Sequence, residues 1–424
     1  MPDVLTALTE LAVSIFRNRV QARDLISSRF STLLGLDPVL QEAHRDLLQV
    51  AVQNPALDDV VRLAMARPDL SPLAAGEGEL GPMLMYPGGG FRLSFTAIFT
   101  SLLTSAMLQM YFLRLPQDEG TYVRVVLEGF DEFRRAVAGE PIRAHALSGV
   151  ARVTLREGTQ ISTPWGIIRP APPATPQHFI WPSAQPRTTC ILDAPRLLPV
   201  RFDRDPNPQT IDPVDLATAH SAVLLQLSCA LASEGTAKPA VPLLTWSTLL
   251  LPFQVGFGYS AQILPPAFGT EADLTDRVRE VEEWARVVDR AHAPAVDVAA
   301  GRLVSAVANR MDMSDSLIDA VMAWENLVGT PDTEVSFRVT AALAKLLESD
   351  LTKRRALRKE LADIYRIRSR VVHGGTVNPS EVTAACARAI EVAVGALRAS
   401  YARGRDWLAL TSGERSDAIL LEWE

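Results

Sequence analysis

The chain has 424 residues, of which 48% are hydrophobic and 21% are charged, and its formal net charge is −7. This composition excludes a disordered or fibrous chain, and the length predicts more than one domain. Three cysteines that are far apart and odd in number predict neither a disulfide framework nor a structural zinc site, and no metal or cofactor is expected.

The region 1–118 is predicted to be mainly helical, because apolar residues such as Leu8 and Leu11 recur at helical spacing. Within it, residues 93–113 carry no charge over 21 positions, which is long enough to cross a membrane. Seven of these residues are Ser, Thr or Gln, so a buried helix is favoured over a membrane span. The N-terminus does not resemble a signal peptide. We therefore expect a cytoplasmic protein without membrane contact.

The region 119–268 has a different sequence pattern, with short runs rich in Val, Ile and aromatic residues that are broken by prolines. Runs such as TYVRVVL (121–127) and TTCILDAP (188–195) predict strands, and a helix is predicted near 214–232. This mixed, β-rich region either forms a domain of its own or joins the preceding part in one domain.

Beyond about residue 272 the prolines nearly vanish and helical periodicity dominates. The predicted helices cover residues 273–291, 295–311, 315–328, 334–348, 352–372 and 380–402. Together they predict an all-α domain over 273–412. The expected fold class is therefore α+β and multidomain, with a mixed or mostly β N-terminal region that contains helices, followed by a helical bundle.

The helix predicted over 352–372 is strongly basic. From Lys353 to Arg370 there are eight basic and two acidic residues, a local net charge of +6 in a chain that is acidic overall. Such a segment either attracts a polyanion or forms an ordinary solvated helix face. Arg366 and Arg370 are expected to face solvent or the phosphates of a bound polymer.

The same helix carries an arginine on its apolar side. Its apolar residues recur at helical steps and define one stripe, formed by Leu357, Leu361, Ile364 and Val371. Arg368 occupies the position that completes the stripe. A guanidinium there must be paired or must face a site, because an unpaired buried charge is very costly.

His373 comes five residues after Arg368 and directly precedes two glycines that predict the end of the helix. In a regular helix it lies about 140° around the axis from Arg368, so one regular helix is not expected to bring the two side chains into contact. Either the Gly-Gly break redirects His373 towards Arg368, or a second copy of the domain supplies the complementary partner. The helix dipole at this end favours an imidazolium, which suits a histidine that exchanges protons near neutral pH.

Three segments of the helical region carry a family resemblance. They are LIDAVMAWENLVG (317–329), EVSFRVTAALAKLLES (334–349) and LRKELADIYRIRSRVVHGG (357–375). In this order and spacing they resemble the Apea-like branch of the HEPN domains, over roughly residues 295–400. The family pattern Tyr-x-x-Arg-Ser-x-x-Val-His-Gly is matched by Tyr365, Arg368, Ser369, Val372, His373 and Gly374. More loosely, residues 128–155 and 166–173 look like the β-containing part that accompanies this domain in many bacterial members.

The resemblance implies a helical bundle that pairs with a second copy and brings two Arg-x4-His motifs around one cleft. Many such domains are metal-independent endoribonucleases, several of them toxins or antiphage effectors, and others only bind RNA or nucleotide. Arg368 is implied to hold the scissile phosphate, and His373 to act as general acid or base during attack by the RNA 2′-hydroxyl.

Other residues receive supporting roles from the same resemblance. Glu325 and Arg338 also match the family pattern, and Glu325 is expected to be a structural partner of Arg368 or Arg338. The residues expected to support the motif are Glu325, Arg338 and Tyr365. The residues expected to contact RNA are Arg358, Lys359, Arg366, Ser369 and Arg370.

Two hypotheses remain open at this point. The first is a cytoplasmic bacterial endoribonuclease, acting as a homodimer, whose N-terminal region senses a phage or cellular trigger. The second is a non-catalytic RNA- or nucleotide-binding or scaffold protein, in which Arg368 is a buried ion-pair residue and His373 a helix-terminating one.

Overall fold

The computed structural model describes most of the chain. The described residues are 3–18, 51, 53–70, 83–86, 89–92, 95–172, 187–203, 218–233, 239–255, 259–260, 271–330 and 335–421. Within the described residues, four helices precede the main sheet: α1 (Val4–Asn18), α2 (Ala56–Met65), α3 (Phe95–Phe112) and α4 (Glu119–Val137). Strands β1 (Met83–Tyr86) and β2 (Gly89–Arg92) form an antiparallel pair, to which β8 (Arg201–Asp203) adds a third strand.

The main sheet has seven described strands. They are β3 (Ile142–Ala151), β5 (Ile161–Thr163), β6 (Gly166–Pro170), β7 (Thr188–Leu198), β9 (Leu243–Leu251), β10 (Gln254–Val255) and β11 (Tyr259–Ser260). The order is β10-β9-β3-β7-β6-β5, with β11 also paired to β9, and all these pairs are antiparallel. A short parallel pair joins β4 (Val153–Thr154) to β12 (Ala272–Asp273). The chain is thus mixed α+β.

The run TYVRVVL, predicted as a strand, is the beginning of the helix α4, so that prediction is wrong. Asp118 caps the helix by accepting a hydrogen bond of 2.7 Å from the backbone N–H of Thr121. The buried residues of the helix recur at helical rather than alternating spacing; they include Tyr122, Val125, Val126, Phe130 and Phe133. The β-branched valines therefore pack on one helical face, and tertiary packing overrides their strand preference.

The uncharged segment 93–113 contains the helix α3, which packs inside the N-terminal core. Ile98, Phe99, Leu102 and Leu103 are fully or nearly fully buried against α4 and the sheet. Among the described residues, none of the helices has the length and apolar character needed to cross a membrane.

The C-terminal region is helical, as predicted. After α5 (Thr218–Ala232) and the short strands, the helices are α6 (Val278–Ala291), α7 (Asp297–Val304), α8 (Met313–Val328), α9 (Val335–Leu347), α10 (Leu351–Val372), α11 (Pro379–Ala402), α12 (Arg405–Ala409) and α13 (Ser412–Leu421). A π-helical turn, Ser305–Asn309, ends α7. The helix ends agree with the predicted ranges to within a few residues, except that α6 begins later, at Val278, after a 3-10 turn.

The bundle and the sheet share one hydrophobic core. Trp324 of α8 is fully buried at its centre and donates a 3.0 Å hydrogen bond to the carbonyl of Ala389 in α11. The same cluster of buried residues extends through α5 to Ile168 and Leu192 of the sheet. Burial of apolar surface therefore couples the two regions, and the C-terminal helices are not isolated from the sheet.

Two buried charged residues fix the ends of bundle helices. Asp319 of α8 accepts hydrogen bonds from Arg302 (2.7 Å), Ser305 (2.9 Å) and Arg310 (2.5 Å), beside the π-helical turn. Burial raises the pKa of Asp319, but these three donors outweigh it and hold the pKa below its usual value.

Arg415 of α13 is the second of these residues, and it is completely buried. Its guanidinium donates to five backbone carbonyls, those of Ala295, Asn326, Leu327, Leu408 and Leu410. Several of these carbonyls end the helices α8 and α12, where the helix dipole favours a cation. Burial lowers the pKa of Arg415 to about 10, so the group remains charged at neutral pH.

Candidate functional site

The basic helix α10 lies at the surface of the bundle. Leu361 and Ile364 are the buried residues of its 22 positions, while Leu357, Arg368 and Val371 are half-buried. The helix thus turns the predicted stripe towards the bundle and leaves the rest of its circumference to solvent. Asp350 caps its start by accepting a 2.8 Å hydrogen bond from the backbone N–H of Lys353.

Arg368 occupies the bundle-facing side of α10, as the stripe predicts. Its side chain is 20% exposed, and its Nη2 lies 3.5 Å from Oε2 of Glu325. The guanidinium carbon lies 5.8 Å from the centre of the Tyr365 ring. Its Nε is buried and has no hydrogen-bond partner within the described part of the chain. Arg368 is therefore paired, but with one carboxylate and at the long end of the range.

Tyr365 completes this group, because its hydroxyl donates a hydrogen bond to Oε1 of Glu325. Burial raises the pKa of Tyr365 well above its usual range, and the adjacent Glu325 carboxylate raises it further. The phenol therefore stays protonated and serves as a donor. Glu325 thus bridges Tyr365 and Arg368 from the neighbouring helix α8.

Arg338 does not belong to this group, although it was expected to support the motif. Its Nη2 pairs with the carboxylate of Asp417 in α13, on another side of α9. This contact depends on how α13 packs, so it could not be predicted from the order of the segments along the chain. Glu325 was expected to pair with Arg368 or Arg338, and in the structure its partner is Arg368.

His373 is the C-terminal cap of α10 and is exposed. Gly374 adopts φ +71° and donates to the carbonyl of Val371 (3.1 Å), and Gly375 donates to that of Arg370 (2.8 Å). These two bonds define a Schellman motif, which needs a residue without Cβ strain at Gly374. No hydrogen bond of the His373 ring is formed with the described residues, so both ring nitrogens are available to a ligand.

Arg368 and His373 are not brought together within one chain. They lie about 140° apart around α10, one facing the bundle and the other facing solvent. The helix ends at Val372, and the backbone N–H of its cap, His373, still donates to the carbonyl of Ser369 at 3.1 Å. The glycines follow this cap and do not redirect its imidazole towards Arg368.

His373 instead continues a line of exposed basic residues on the solvent side of α10. These residues, here called the outer basic face, are Arg355, Lys359, Arg366 and Arg370, with His373 at the end. At about 100° per residue they fall within a sector of roughly 60°, nearly opposite the buried stripe. Four of the eight basic residues from Lys353 to Arg370 thus form an outer row, whereas Arg368 lies on the inner side.

The four cations of the outer basic face differ in their pairing. Arg366 pairs with Asp363 one turn before it, and Arg370 lies 3.6 Å from Glu381. Both pairs are exposed to solvent and so contribute little to stability. Arg355 and Lys359 have no ion-pair partner among the described residues. The uncompensated charge thus lies in the first half of α10, some 20–27 Å along the helix from His373.

The remaining residues expected to contact RNA lie beside this row. Arg358 places its guanidinium carbon 4.9 Å from the centre of the Phe337 ring, which is itself 54% exposed. Ser369 is half-buried, and its carbonyl accepts the backbone N–H of His373 at 3.1 Å. Phe337 and Arg355 were not singled out from the sequence; helical spacing from Lys359 would have indicated Arg355, whereas the exposure of Phe337 depends on packing.

A groove of about 530 Å³ opens on the other flank of α10, against α11. Its floor is apolar, with Ile364 and Ile367 opposite Ala384 and Ala385. Charged residues line its rim: Lys359, Glu360, Asp363, Glu381 and Arg388. Arg388 is already paired with Glu360 at 2.9 Å. The groove is therefore an amphipathic surface adjoining the outer basic face.

A second cluster of ionisable residues lies in the sheet. Asp193 of β7 is buried and accepts hydrogen bonds from Arg169 (2.9 Å) and from His145 Nδ1 (2.7 Å). Arg169 also donates to the carbonyl of Leu113, which ties the end of α3 to the sheet. Cross-strand register creates this cluster, so sequence spacing could not reveal it.

The described residues contain no group of three or more His, Cys, Asp or Glu side chains placed to hold a metal ion. Comparisons of the chain with protein-family models, curated proteins and solved structures returned no match.

Proposed function

We propose that the protein acts on RNA through α10 and is a metal-independent endoribonuclease of the HEPN type. The observation that carries the proposal is His373, an exposed imidazole at the end of a row of basic side chains, whose ring nitrogens make no hydrogen bond to any residue that the structure describes. Cations bring the phosphates of a polyanion to this surface, and histidine is the side chain that most commonly exchanges a proton near neutral pH.

In the proposed reaction, the 2′-oxygen of a ribose attacks the adjacent phosphorus and loses its proton to a base. The bond from phosphorus to the 5′-oxygen breaks, and that oxygen takes up a proton. The products are a 2′,3′-cyclic phosphate and a 5′-hydroxyl, so no water molecule is consumed. His373 supplies the proton transfer, and an arginine stabilises the charge that develops on the phosphate oxygens.

Arg368 is the proposed source of that guanidinium, and its position requires a second copy of the chain. Since Arg368 and His373 of one chain face opposite sides of α10, we place the site between two copies in a homodimer formed through the helical bundle. The groove beside α10 is the proposed contact, because it offers an apolar floor with charges of both signs on its rim.

Cleavage of single-stranded RNA by the full chain in EDTA tests the reaction. We expect fragments with cyclic phosphate ends, and loss of cleavage by at least about 100-fold in His373→Ala. A control is His145→Ala, which removes a histidine of the strand β3. Absence of cleavage by the wild type, or equal cleavage by His373→Ala, contradicts the proposal.

A mixing experiment tests the two-copy site. In a mixture of Arg368→Ala and His373→Ala chains, half of the dimers contain one copy of each, and each such dimer has one site with both groups intact. We therefore expect recovery of roughly a quarter of the wild-type rate when the two inactive variants are mixed and allowed to exchange. Sites built within one chain give no recovery.

The proposal extends to a role as a toxin or antiphage effector, with the N-terminal region as sensor or restraint. Because the bundle shares its core with the sheet, the test uses the full chain rather than isolated helices. Expression in a bacterial host under phage challenge, with His373→Ala as control, is expected to reduce growth only when the histidine is present.

One observation favours the second candidate, a non-catalytic RNA-binding or scaffold protein. Arg368 already has a carboxylate partner in Glu325, as expected of a structural ion pair. Under this candidate, RNA binding survives in His373→Ala and no product is ever detected, so binding and cleavage assays on the same variants separate the two functions.

A further inference from the structure

The outer basic face is long and straight enough to follow a polymer rather than to hold a single anion. Arg355 and His373 are separated by about 27 Å along the axis of α10. The cations between them recur once per one or two turns, and all of them are exposed. A compact anion touches only one part of this row, whereas an extended strand of phosphates reaches all of it.

An exposed aromatic ring lies at the far end of this row. Phe337 of α9 is 54% exposed, and the guanidinium of Arg358 lies over its ring at 4.9 Å. Arg358 is three residues from Arg355, so the stacked pair adjoins the outer basic face on the next helical position. Planar stacking groups beside a basic track are the features that bind unpaired bases, because every base has a π-face.

We propose that α10 is a track for single-stranded RNA that runs from the Phe337–Arg358 pair, where a base stacks, along Arg355, Lys359, Arg366 and Arg370 to His373. This inference rests on the proposed action on RNA and adds to it a substrate form and a binding path. A single strand is favoured over a duplex because the stacking pair needs an unpaired base. Arg368 faces the bundle and is not part of the track.

Binding of a 2′-O-methyl single-stranded RNA tests the track, since this probe cannot undergo attack by its own 2′-oxygen. Fluorescence anisotropy of the full chain is measured from low to moderate salt. For Arg355→Gln/Lys359→Gln we expect weaker binding and a shallower salt dependence. The slope of log K against log salt should fall by about 0.7 for each phosphate that the variant no longer neutralises. For Phe337→Ala we expect binding weaker by roughly fivefold to a hundredfold.

Arg354→Gln is the matched control, because Arg354 is next to Arg355 but donates to the carbonyls of Glu348 and Ser349 at 2.9 Å each. It is expected to bind RNA with the wild-type salt dependence. Single-stranded DNA is expected to bind the same track. A blunt RNA duplex is expected to bind more weakly than the single strand, and its affinity for Phe337→Ala should equal its affinity for the wild type.

The inference is overturned if the wild type does not bind the probe at low salt, or if the double variant and Phe337→Ala keep wild-type affinity and salt dependence. It is also overturned if duplex RNA binds as well as the single strand. Failure of the enzyme proposal gives a different result: the track variants then bind RNA more weakly, as expected, but the wild type does not cleave natural RNA. If instead the wild type cleaves RNA and the track variants bind and cleave normally, the enzyme stands and the track is wrong.

Discussion

Two arginines in the C-terminal bundle are held in opposite ways. Arg415 is completely buried and donates to five backbone carbonyls, and none of its hydrogen-bond partners in the described part of the chain is a carboxylate. Arg368 is one-fifth exposed, has a single carboxylate at 3.5 Å and leaves Nε without a hydrogen bond among the described residues. All five N–H donors of the Arg415 guanidinium are used in hydrogen bonds, whereas those of Arg368 are not.

The difference separates a structural arginine from one that retains capacity to bind. A guanidinium whose donors all end on helix carbonyls has nothing left for a ligand, and its removal leaves those carbonyls without a partner. A guanidinium with one loose ion pair costs less to remove and can exchange that pair for a phosphate. Substitutions at the two sites therefore test whether the number of donors used predicts stability.

The largest expected effect is at Arg415. Arg415→Met keeps much of the side-chain volume but leaves buried carbonyls of α8 and α12 unsatisfied, and we expect a loss of about 3–5 kcal/mol in the free energy of unfolding. Arg415→Lys, which restores charge and up to three donors, is expected to recover part of it. Chemical denaturation followed by tryptophan fluorescence and circular dichroism measures both. Equal stability of Arg415→Met and wild type would show that the carbonyls find other partners.

Asp319 comes next and adds a dependence on pH. Its folded pKa is lowered by Arg310, Ser305 and Arg302 against the effect of burial, so its contribution is complete above the pKa of an unfolded aspartate and is lost as pH falls through the folded value. We expect Asp319→Asn to cost about 2–3 kcal/mol at pH 7. The difference between wild type and variant should shrink below about pH 4. A difference that stays constant from pH 7 to pH 3 contradicts the role given to the charge.

Much of the bundle was predictable because its signals are local. The stripe of Leu361 and Ile364 follows from helical spacing alone, and the cap at Asn378 follows from the residues around it: its side chain accepts the N–H of Ser380 at 3.0 Å. The α+β class also followed from the change along the chain, from short Val- and Ile-rich runs broken by prolines to long helical periodicity. The resemblance to HEPN domains and the roles taken from it stay predictions.

What the sequence did not reveal depends on contacts between distant residues. Arg415 meets carbonyls up to 120 positions away, and the partner of Arg338 is Asp417, in the last helix. Asp193 meets His145 only through the register of two strands. The run at 121–127 was misjudged because β-branched residues favour strands locally, whereas its burial pattern is helical. No spacing rule contains this information.

Arg368 should show a smaller effect than Arg415, which sharpens the comparison. Because both Arg368 and Glu325 are partly exposed, we expect Arg368→Ala to cost about 1 kcal/mol, with a coupling to Glu325→Gln of less than about 1 kcal/mol in a double-mutant cycle. Thermal and urea unfolding of the two single variants and the double variant measure this coupling. A loss of several kcal/mol, close to that of Arg415→Met, would identify Arg368 as a structural residue and support the scaffold candidate.

The smallest effects come from two adjacent arginines that differ only in their partners. Arg354 donates to the carbonyls of Glu348 and Ser349 beyond the end of α9, whereas Arg355 has no partner among the described residues. We expect Arg354→Gln to lower the free energy of unfolding by about 0.5–1.5 kcal/mol and Arg355→Gln to change it by less than about 0.5 kcal/mol. Because helix propensity and net charge change equally in the two variants, the difference isolates the carbonyl contacts. The reverse order would mean that exposed charge on α10, rather than its hydrogen bonding, governs the stability of the helix.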